Sequence, residues 1–316
     1  MGTAITKSAT TDEAPACLNC GSTLGPDARY CAHCGQATVD QQRPVTALVG
    51  ELLTSLFSLD AKLWSTLGLL LFKPGQLTAR YLAGRRRAQV PPLRLYLFIS
   101  LVYFILTGVQ VDRQFRKLAE DESLGPGQAL QETDTLNFLD LQVTVSGARQ
   151  AALMTPAQRD SMLLADGHEP NLLNRFMLSR APRLADLNGI ERLTVRTLQY
   201  FSYALFILMP VLGFVLWLFF KRARPWYFDH LIHSIHLHAF YFFFQSVFLA
   251  LRLFLGFSLG SIGLIAILIY LPVSLRMVYG RRWPATLGLS IPVMLLQSLV
   301  IGVAFLASGL CALILL

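Results

Sequence analysis

The sequence predicts a mainly α-helical, polytopic membrane bundle of about five spans, preceded by a small N-terminal zinc ribbon. The 316-residue chain is 54% hydrophobic, and its mean hydropathy is +0.50. Only 15% of its residues are charged, against about 25% in soluble domains. Two Cys-x-x-Cys-Gly motifs lie near its start. Because a soluble core of this size needs much less apolar surface, the excess indicates lipid-facing helices.

The four N-terminal cysteines have the spacing of a tetrahedral metal site, with ten residues between the second and third cysteines. A closed four-thiolate site favours one structural Zn²⁺, and a rubredoxin-like iron is the alternative. Two disulfides are disfavoured because no secretory signal is recognised before the cysteines. We expect a disordered leader over 1–16 and the ribbon over 17–36, with Cys17, Cys20, Cys31 and Cys34 as ligands.

Residues 45–92 are expected to form amphipathic interfacial helices and a basic juxtamembrane hinge. Apolar side chains recur at helical spacing over 45–72, which predicts a helix pair on the cytosolic membrane surface, with Asp60 as a cap. A soluble helix packed on the ribbon is the alternative. The hinge, residues 84–92, suits anionic headgroups through its membrane-surface basic residues, which are Arg85, Arg86 and Arg87.

Five apolar segments follow, each close to the ~20 residues that cross ~30 Å of hydrocarbon. Proline inside three of them predicts kinks. The predicted spans are 93–111, 198–220, 235–257, 261–279 and 287–308.

The basic residues predict the orientation of these spans. They cluster before the first span, after the second and between the fourth and the fifth, which is one side of the membrane. The positive-inside rule therefore predicts a cytosolic N-terminus and a C-terminus on the far side. The net charge of +8 is explained by this topology, so nucleic-acid binding is disfavoured.

The remaining segment, 112–197, is predicted to be an extracytoplasmic, partly helical loop. We expect disorder over 119–134, one strand over 136–145 and a helix that starts at Thr155-Pro156.

Four of the six histidines follow Asp229 closely. At about 100° per residue, two of them share a helix face, a third is next to them and the fourth lies on the other side. One hypothesis is a second polar or metal site; the alternative is a helix end whose histidines bond headgroups and loop carbonyls. The candidate set is Asp229, His230, His233, His236 and His238.

No second ligand set and no His-Glu-x-x-His motif accompanies this cluster in the sequence. A membrane metalloenzyme is therefore the least favoured interpretation, and no catalytic residue is assigned.

Several motifs resemble those of a known family. They are Leu69-Leu-Leu-Phe-Lys73-Pro74-Gly75, Tyr81-Leu-Ala-Gly84-Arg85-Arg86, Pro92-Leu-Arg94-Leu-Tyr96-Leu-Phe98-Ile-Ser100, Tyr227-Phe-Asp229-His230 and His236-Leu-His238-Ala-Phe240. With the ribbon, the chain resembles uncharacterised bacterial multi-pass inner-membrane proteins that carry a domain of unknown function. The resemblance covers about 17–110 and 200–300. It implies the bacterial inner membrane and emphasises the positions of Asp229, His230, His236 and His238, but it implies no reaction.

The favoured hypothesis is a membrane-anchored adaptor or sensor whose cytosolic ribbon binds a protein partner. The alternative is a small transporter or channel, for which a homo-oligomer would have to supply the pathway because no internal repeat is visible. Contact with a lipid bilayer is expected in either case.

Overall fold

The computed structural model describes residues 15–25, 27–38, 62–120, 135–138, 141–185, 187–256 and 260–315. Within these ranges the protein is mainly helical, which confirms the predicted fold class. Residues 1–14 of the predicted leader, the predicted helix before Lys62 with the cap at Asp60 for its restart, and most of the predicted disordered stretch lie outside the described residues.

The described elements are two short helices, a long helix, a mixed stretch of short strands and helices, and then four consecutive long helices. The N-terminal helices are α1 (Lys62–Phe72) and α2 (Gln76–Leu82), and the long helix α3 (Pro92–Glu120) follows. The middle of the chain holds β1 (Thr135–Phe138), β2 (Leu141–Thr144), α4 (Val145–Ala151), α5 (Pro156–Ala165) and α6 (Leu172–Leu184). The last four helices are α7 (Leu187–Phe220), α8 (Tyr227–Leu255), α9 (Gly260–Tyr279) and α10 (Trp283–Ile314).

Four helices are long and apolar enough to cross a membrane, which indicates a multi-pass membrane protein. They are Pro92–Lys117, Asn188–Phe220, Tyr227–Leu255 and Trp283–Ile314. They coincide with the first, second, third and fifth predicted spans.

The fourth predicted span coincides with α9, which has 20 residues. Its part Leu268–Tyr279 is a shorter apolar stretch and is not among the four candidates. At about 1.5 Å per residue the whole helix would be about 30 Å long, enough for a crossing. A fifth crossing therefore stays a prediction.

The chain divides into two compact units, each built from three separate segments. The first comprises Met1–Ser100, Leu216–Phe243 and Ser261–Ser290, and the second comprises Leu101–Val215, Phe244–Gly260 and Ile291–Leu316. Both the cysteine motifs and the histidine cluster belong to the first unit.

In the first unit, α1 and α2 are fastened to α9. Gly75, which joins the two short helices, has a φ of +76°, and a Cβ there would lie 2.7 Å from the carbonyl oxygen of Ser274. Only glycine fits this close approach with this backbone conformation. The Tyr270 hydroxyl donates a hydrogen bond of 2.8 Å to the Leu70 carbonyl, and its ring stacks on Phe240 of α8. The segment that follows the cysteine motifs is thus held against the histidine-bearing part of the unit.

The second unit contains a small α/β subdomain. Strands β1 and β2 pair antiparallel, from Thr135↔Thr144 to Phe138↔Leu141. The prediction of one strand over 136–145 was therefore wrong: a reversal of the chain divides this stretch into two short strands. The predicted start at Thr155-Pro156 is confirmed, because Thr155 caps α5 in a capping box. Small and apolar residues form the buried core of the subdomain: Ala148, Ala151, Leu163, Leu178, Ala181 and Ala185.

Candidate functional site

The two cysteine motifs fold as equivalent turns. In the first, the amide of Gly21 donates to the Cys17 carbonyl and the amide of Cys17 donates to the Ser22 carbonyl, both at 2.8 Å. In the second, the amide of Gly35 donates to the Cys31 carbonyl and the amide of Cys31 donates to the Gln36 carbonyl, again both at 2.8 Å. Gly21 and Gly35 have φ values of +78° and +71°. Two similar turns thus present two sulfurs each.

The four sulfur atoms meet in one cluster. All lie within 4.8 Å of one another, with 3.7 Å between Cys17 and Cys34 and 3.6 Å between Cys20 and Cys31. All four cysteines are free. A tetrahedral ion with metal–sulfur bonds of about 2.3 Å separates its ligands by about 3.8 Å. The cluster therefore has the dimensions to hold one metal ion, and we call residues 15–38 the four-cysteine module.

The thiols of the cluster differ in their pKa values. The hydroxyl and the backbone amide of Ser22 lower the pKa of Cys20 to about 5. The backbone amide of Cys34 lowers the pKa of Cys31, but burial and the neighbouring sulfurs of Cys20 and Cys17 raise it to about 11. Four thiolates so close together repel one another, and a bound cation would remove this obstacle to deprotonation.

The four-cysteine module is docked on the hinge chiefly by one side chain. The Gln36 amide group donates to the Gly84 carbonyl at 2.8 Å, and its oxygen accepts from the amides of Arg86 and Arg87 at 3.1 and 3.2 Å. The carbonyl of Gln36 itself closes the second cysteine turn by accepting from Cys31. The residue that completes the second cysteine turn is therefore also the residue that holds the hinge.

Two further contacts support this docking. The Asn19 side-chain oxygen accepts from the amide of Ala88 at 3.2 Å. Gly84 has a φ of +84°, and a Cβ there would lie 2.7 Å from a methyl carbon of Leu18. Both cysteine motifs thus contact the hinge, since Leu18 and Asn19 belong to the first and Gln36 follows the second.

The histidines of α8 form the second candidate site. His230 and His233 are fully buried, and both hydrogen-bond the hydroxyl of Tyr279, at 2.8 and 3.3 Å. The second nitrogen of His230 lies 2.9 Å from the Arg224 carbonyl, and that of His233 lies 2.8 Å from the Ser274 hydroxyl. A continuous chain of hydrogen bonds thus joins these five residues.

One carbonyl sets the direction of this chain. Because a carbonyl only accepts, His230 must carry a proton on Nε2 and donate it to Arg224. In a neutral His230, Nδ1 then accepts from the Tyr279 hydroxyl, whose oxygen is left to accept from His233. His233 therefore carries its proton on Nδ1, and its Nε2 accepts from Ser274. The two histidines thus have opposite tautomers.

The other two histidines have separate surroundings. His236 Nδ1 lies 2.9 Å from the Thr78 hydroxyl of α2, and its buried Nε2 has no hydrogen-bond partner within the described part of the chain. His238 donates from Nδ1 to the carbonyl of Ser234 at 2.9 Å, and its ring packs edge-on with Tyr96. At the start of the helix, Asp229 pairs with Arg224 at 3.2 Å.

The structure therefore brings His230 and His233 together, as the helical spacing predicts, but not all four histidines. Among the described residues, only the four cysteines gather three or more metal-binding atoms in one place. His230 also makes the loop-carbonyl bond that the alternative interpretation of this helix end expects. The arrangement is a buried hydrogen-bonded network in which the histidines have few nitrogen atoms left for a metal.

Four side chains that contact the candidate sites were missed by sequence reasoning: Gln36, Thr78, Ser274 and Tyr279. Tyr279 ends a predicted span, where an aromatic residue is read as an interfacial anchor. No local pattern distinguishes the other three from ordinary polar residues. Their roles depend on partners 41 to 158 residues away in the chain.

A family model described as a protein of unknown function (DUF3667) matches residues 60–104. No curated protein and no solved structure matches the chain at a significant level. The matched stretch contains α1, α2, the hinge and the start of α3, so it is the segment that contacts the four-cysteine module through Gly84 and the histidine helix through Thr78. The similarity thus falls on the part of the first unit that connects its two candidate sites.

Proposed function

We propose that the protein is a membrane-anchored adaptor or sensor, in which a zinc-holding four-cysteine module sits on the juxtamembrane hinge and offers its outer surface to a protein partner. The observation that carries this proposal is the double role of Gln36, which closes a cysteine turn and clamps the hinge backbone. A change in metal loading or in partner binding would reach the hinge through this residue.

Zinc is the proposed ion. Four sulfur ligands in a closed tetrahedral arrangement favour a structural Zn²⁺, which has no redox role and needs no open coordination position. The spacing of 3.6 to 3.7 Å between paired sulfurs fits this ion. The metal would hold both cysteine turns in the geometry that aims Asn19 and Gln36 at the hinge.

We place the module in the cytosol of a bacterium, with the chain in the inner membrane. Exposed basic side chains flank the helices of the first unit at Lys221, Arg222 and Arg282 as well as at the hinge. The positive-inside rule assigns such clusters to the cytosolic side. The resemblance to bacterial inner-membrane proteins supports the same compartment.

A crosslinking experiment in native membranes tests the proposal. A photoreactive amino acid replaces Tyr30, which is 49% exposed on the four-cysteine module. We expect a specific crosslinked protein that disappears when the four ligand cysteines are changed to serine. In Gln36→Ala the crosslink weakens, because three hydrogen bonds of about 1 kcal/mol each are removed.

The matched control is Gln150→Ala, which alters an exposed glutamine in α4 and should leave the crosslink unchanged. A crosslinked product that is equally strong in the serine variant would contradict an adaptor role for the module, since partner binding would then not require the metal site.

A further inference from the structure

We infer that the hinge is a binding site for the phosphate of anionic phospholipid headgroups, and that the metal-loaded four-cysteine module holds it in its binding conformation. We call Arg85, Arg86 and Arg87 the arginine triad. The inference rests on the proposed function and deepens it, because it names a lipid as a second partner and makes lipid binding depend on the same docking contacts.

Docking uses the backbone of the hinge, and its arginine side chains stay exposed, with two guanidinium nitrogens of Arg87 3.9 Å from where a Cβ of Gly35 would lie. The carbonyl of Gly84 and the amides of Arg86, Arg87 and Ala88 all bond to the four-cysteine module. The three arginine side chains are exposed, and the guanidinium of Arg86 lies 5.2 Å over the ring of Tyr81. A fixed backbone with exposed cationic side chains is preorganised for an anion.

The sequence around the triad carries charge of one sign. Residues 62–100 contain seven basic side chains and no aspartate or glutamate. This stretch therefore has no carboxylate of its own to compensate the triad. Arginine also pairs with phosphate oxygens through two parallel hydrogen bonds, which a lysine cannot do. The complementary ligand is a phosphate whose negative charge is not offset within its own headgroup, as in phosphatidylglycerol, rather than the zwitterionic headgroup of phosphatidylcholine.

The position of the triad favours a lipid as the source of that phosphate. The hinge runs directly into the candidate span Pro92–Lys117, so the triad precedes that helix by only a few residues. The amide of Val90 donates to the Thr66 hydroxyl at 3.1 Å, which ties the hinge to α1. On α1, Trp64 and Phe72 are 76% and 80% exposed. Exposed aromatic rings on a helix that is tied to an arginine-rich segment are typical of a surface at the headgroup level of a bilayer.

The metal acts on the hinge through Gln36 and Asn19. Without an ion the cysteine turns lose the constraint that aims both side chains at the hinge. The backbone of residues 84–88 would then gain freedom, and each bound headgroup would have to order it again. We therefore expect weaker lipid binding from the metal-free protein even though all three arginines are present.

The test uses the full chain in a neutral detergent and counts bound lipids by native mass spectrometry. The probes are phosphatidylglycerol, phosphatidylcholine and the soluble headgroup glycerol 3-phosphate. At about fivefold per arginine, the preference for phosphatidylglycerol over phosphatidylcholine should fall roughly 100-fold when the triad is changed to glutamine. In Gln36→Ala and in the chelated wild type, we expect the preference to fall about tenfold.

A second triple variant separates a specific site from general charge. Lys221, Arg222 and Arg282 are exposed basic residues of the same unit, and changing them to glutamine removes the same charge. This control should keep the preference for phosphatidylglycerol, and both triple variants should keep the metal content of the wild type.

Three results would overturn the inference. Equal losses in both triple variants would show general attraction, and an unchanged preference in Gln36→Ala and after chelation would remove the dependence on the metal. If glycerol 3-phosphate displaces phosphatidylglycerol at the same concentration at which that lipid binds, the ligand would be a soluble phosphate and not a lipid. A different result would contradict the proposed function alone: lipid binding as described here, together with a Tyr30 crosslink that persists when the four cysteines are changed to serine.

Discussion

Changing Cys17, Cys20, Cys31 and Cys34 together to serine is expected to remove all bound metal and to unfold the four-cysteine module. A structural zinc site contributes about 10–16 kcal/mol to the folding of such a module. The described part of the module has no helix and only two isolated β-bridges, so little else stabilises it. Metal content per chain, measured after purification in detergent without added metal or chelator, should be one zinc in the wild type and none in the variant.

The control is Cys311→Ser, because Cys311 is the one cysteine of the sequence outside the cluster and its loss should leave the metal content at one. A second ion that survives in the four-serine variant would contradict the assignment of the histidines to a hydrogen-bonded network. It would direct attention to His236, whose Nε2 has no protein partner among the described residues. Iron in place of zinc would support the alternative ion for the same four ligands.

Changing Tyr279 to phenylalanine is expected to destabilise the first unit by about 2–6 kcal/mol. The hydroxyl bridges His230 and His233, so its removal leaves a nitrogen of each imidazole buried without a partner. Each such group costs about 1–3 kcal/mol. Thermal unfolding in detergent measures the loss. Tyr203→Phe is the matched control, since that residue is 58% exposed.

The same variant tests the direction of the hydrogen-bond chain. In the wild-type protein, ¹⁵N resonances of the imidazoles should report a proton on Nε2 of His230 and on Nδ1 of His233. In Tyr279→Phe the His230 signal should persist, because the Arg224 carbonyl still fixes it, whereas His233 should lose its fixed tautomer. Identical tautomers for the two residues in the wild type would contradict the chain as described.

Local and periodic features of the sequence carried the predictions that succeeded. The cysteine spacing brought the four sulfurs together because both turns are formed within a few residues. Hydropathy identified the long helices because a span exposes apolar side chains along its whole length. The angle of 100° per residue correctly paired His230 with His233 and separated His238 from them, because α8 is a continuous helix there.

The features that were missed depend on distant parts of the chain. The hydrogen bonds between Gln36 and Gly84 and between Thr78 and His236 join residues that are far apart in the sequence, so they depend on how the helices pack. The loose alternation of apolar and polar residues over 136–145 predicts one strand, because periodicity does not show where a chain reverses. A polar side chain that clamps a distant backbone has no local signature, so the docking of the four-cysteine module could not be predicted.

We expect the metal-loaded module to hold the hinge in place. Hydrogen exchange at two amides of the hinge tests this expectation most directly. The amide of Arg87 donates only to Gln36 and that of Ala88 only to Asn19 among the described residues. Measured on the full chain in detergent, both should exchange slowly with metal bound and rapidly after chelation. In Gln36→Ala, Arg87 should lose its protection while Ala88 keeps it. Equal exchange at both amides with and without metal would contradict the claim.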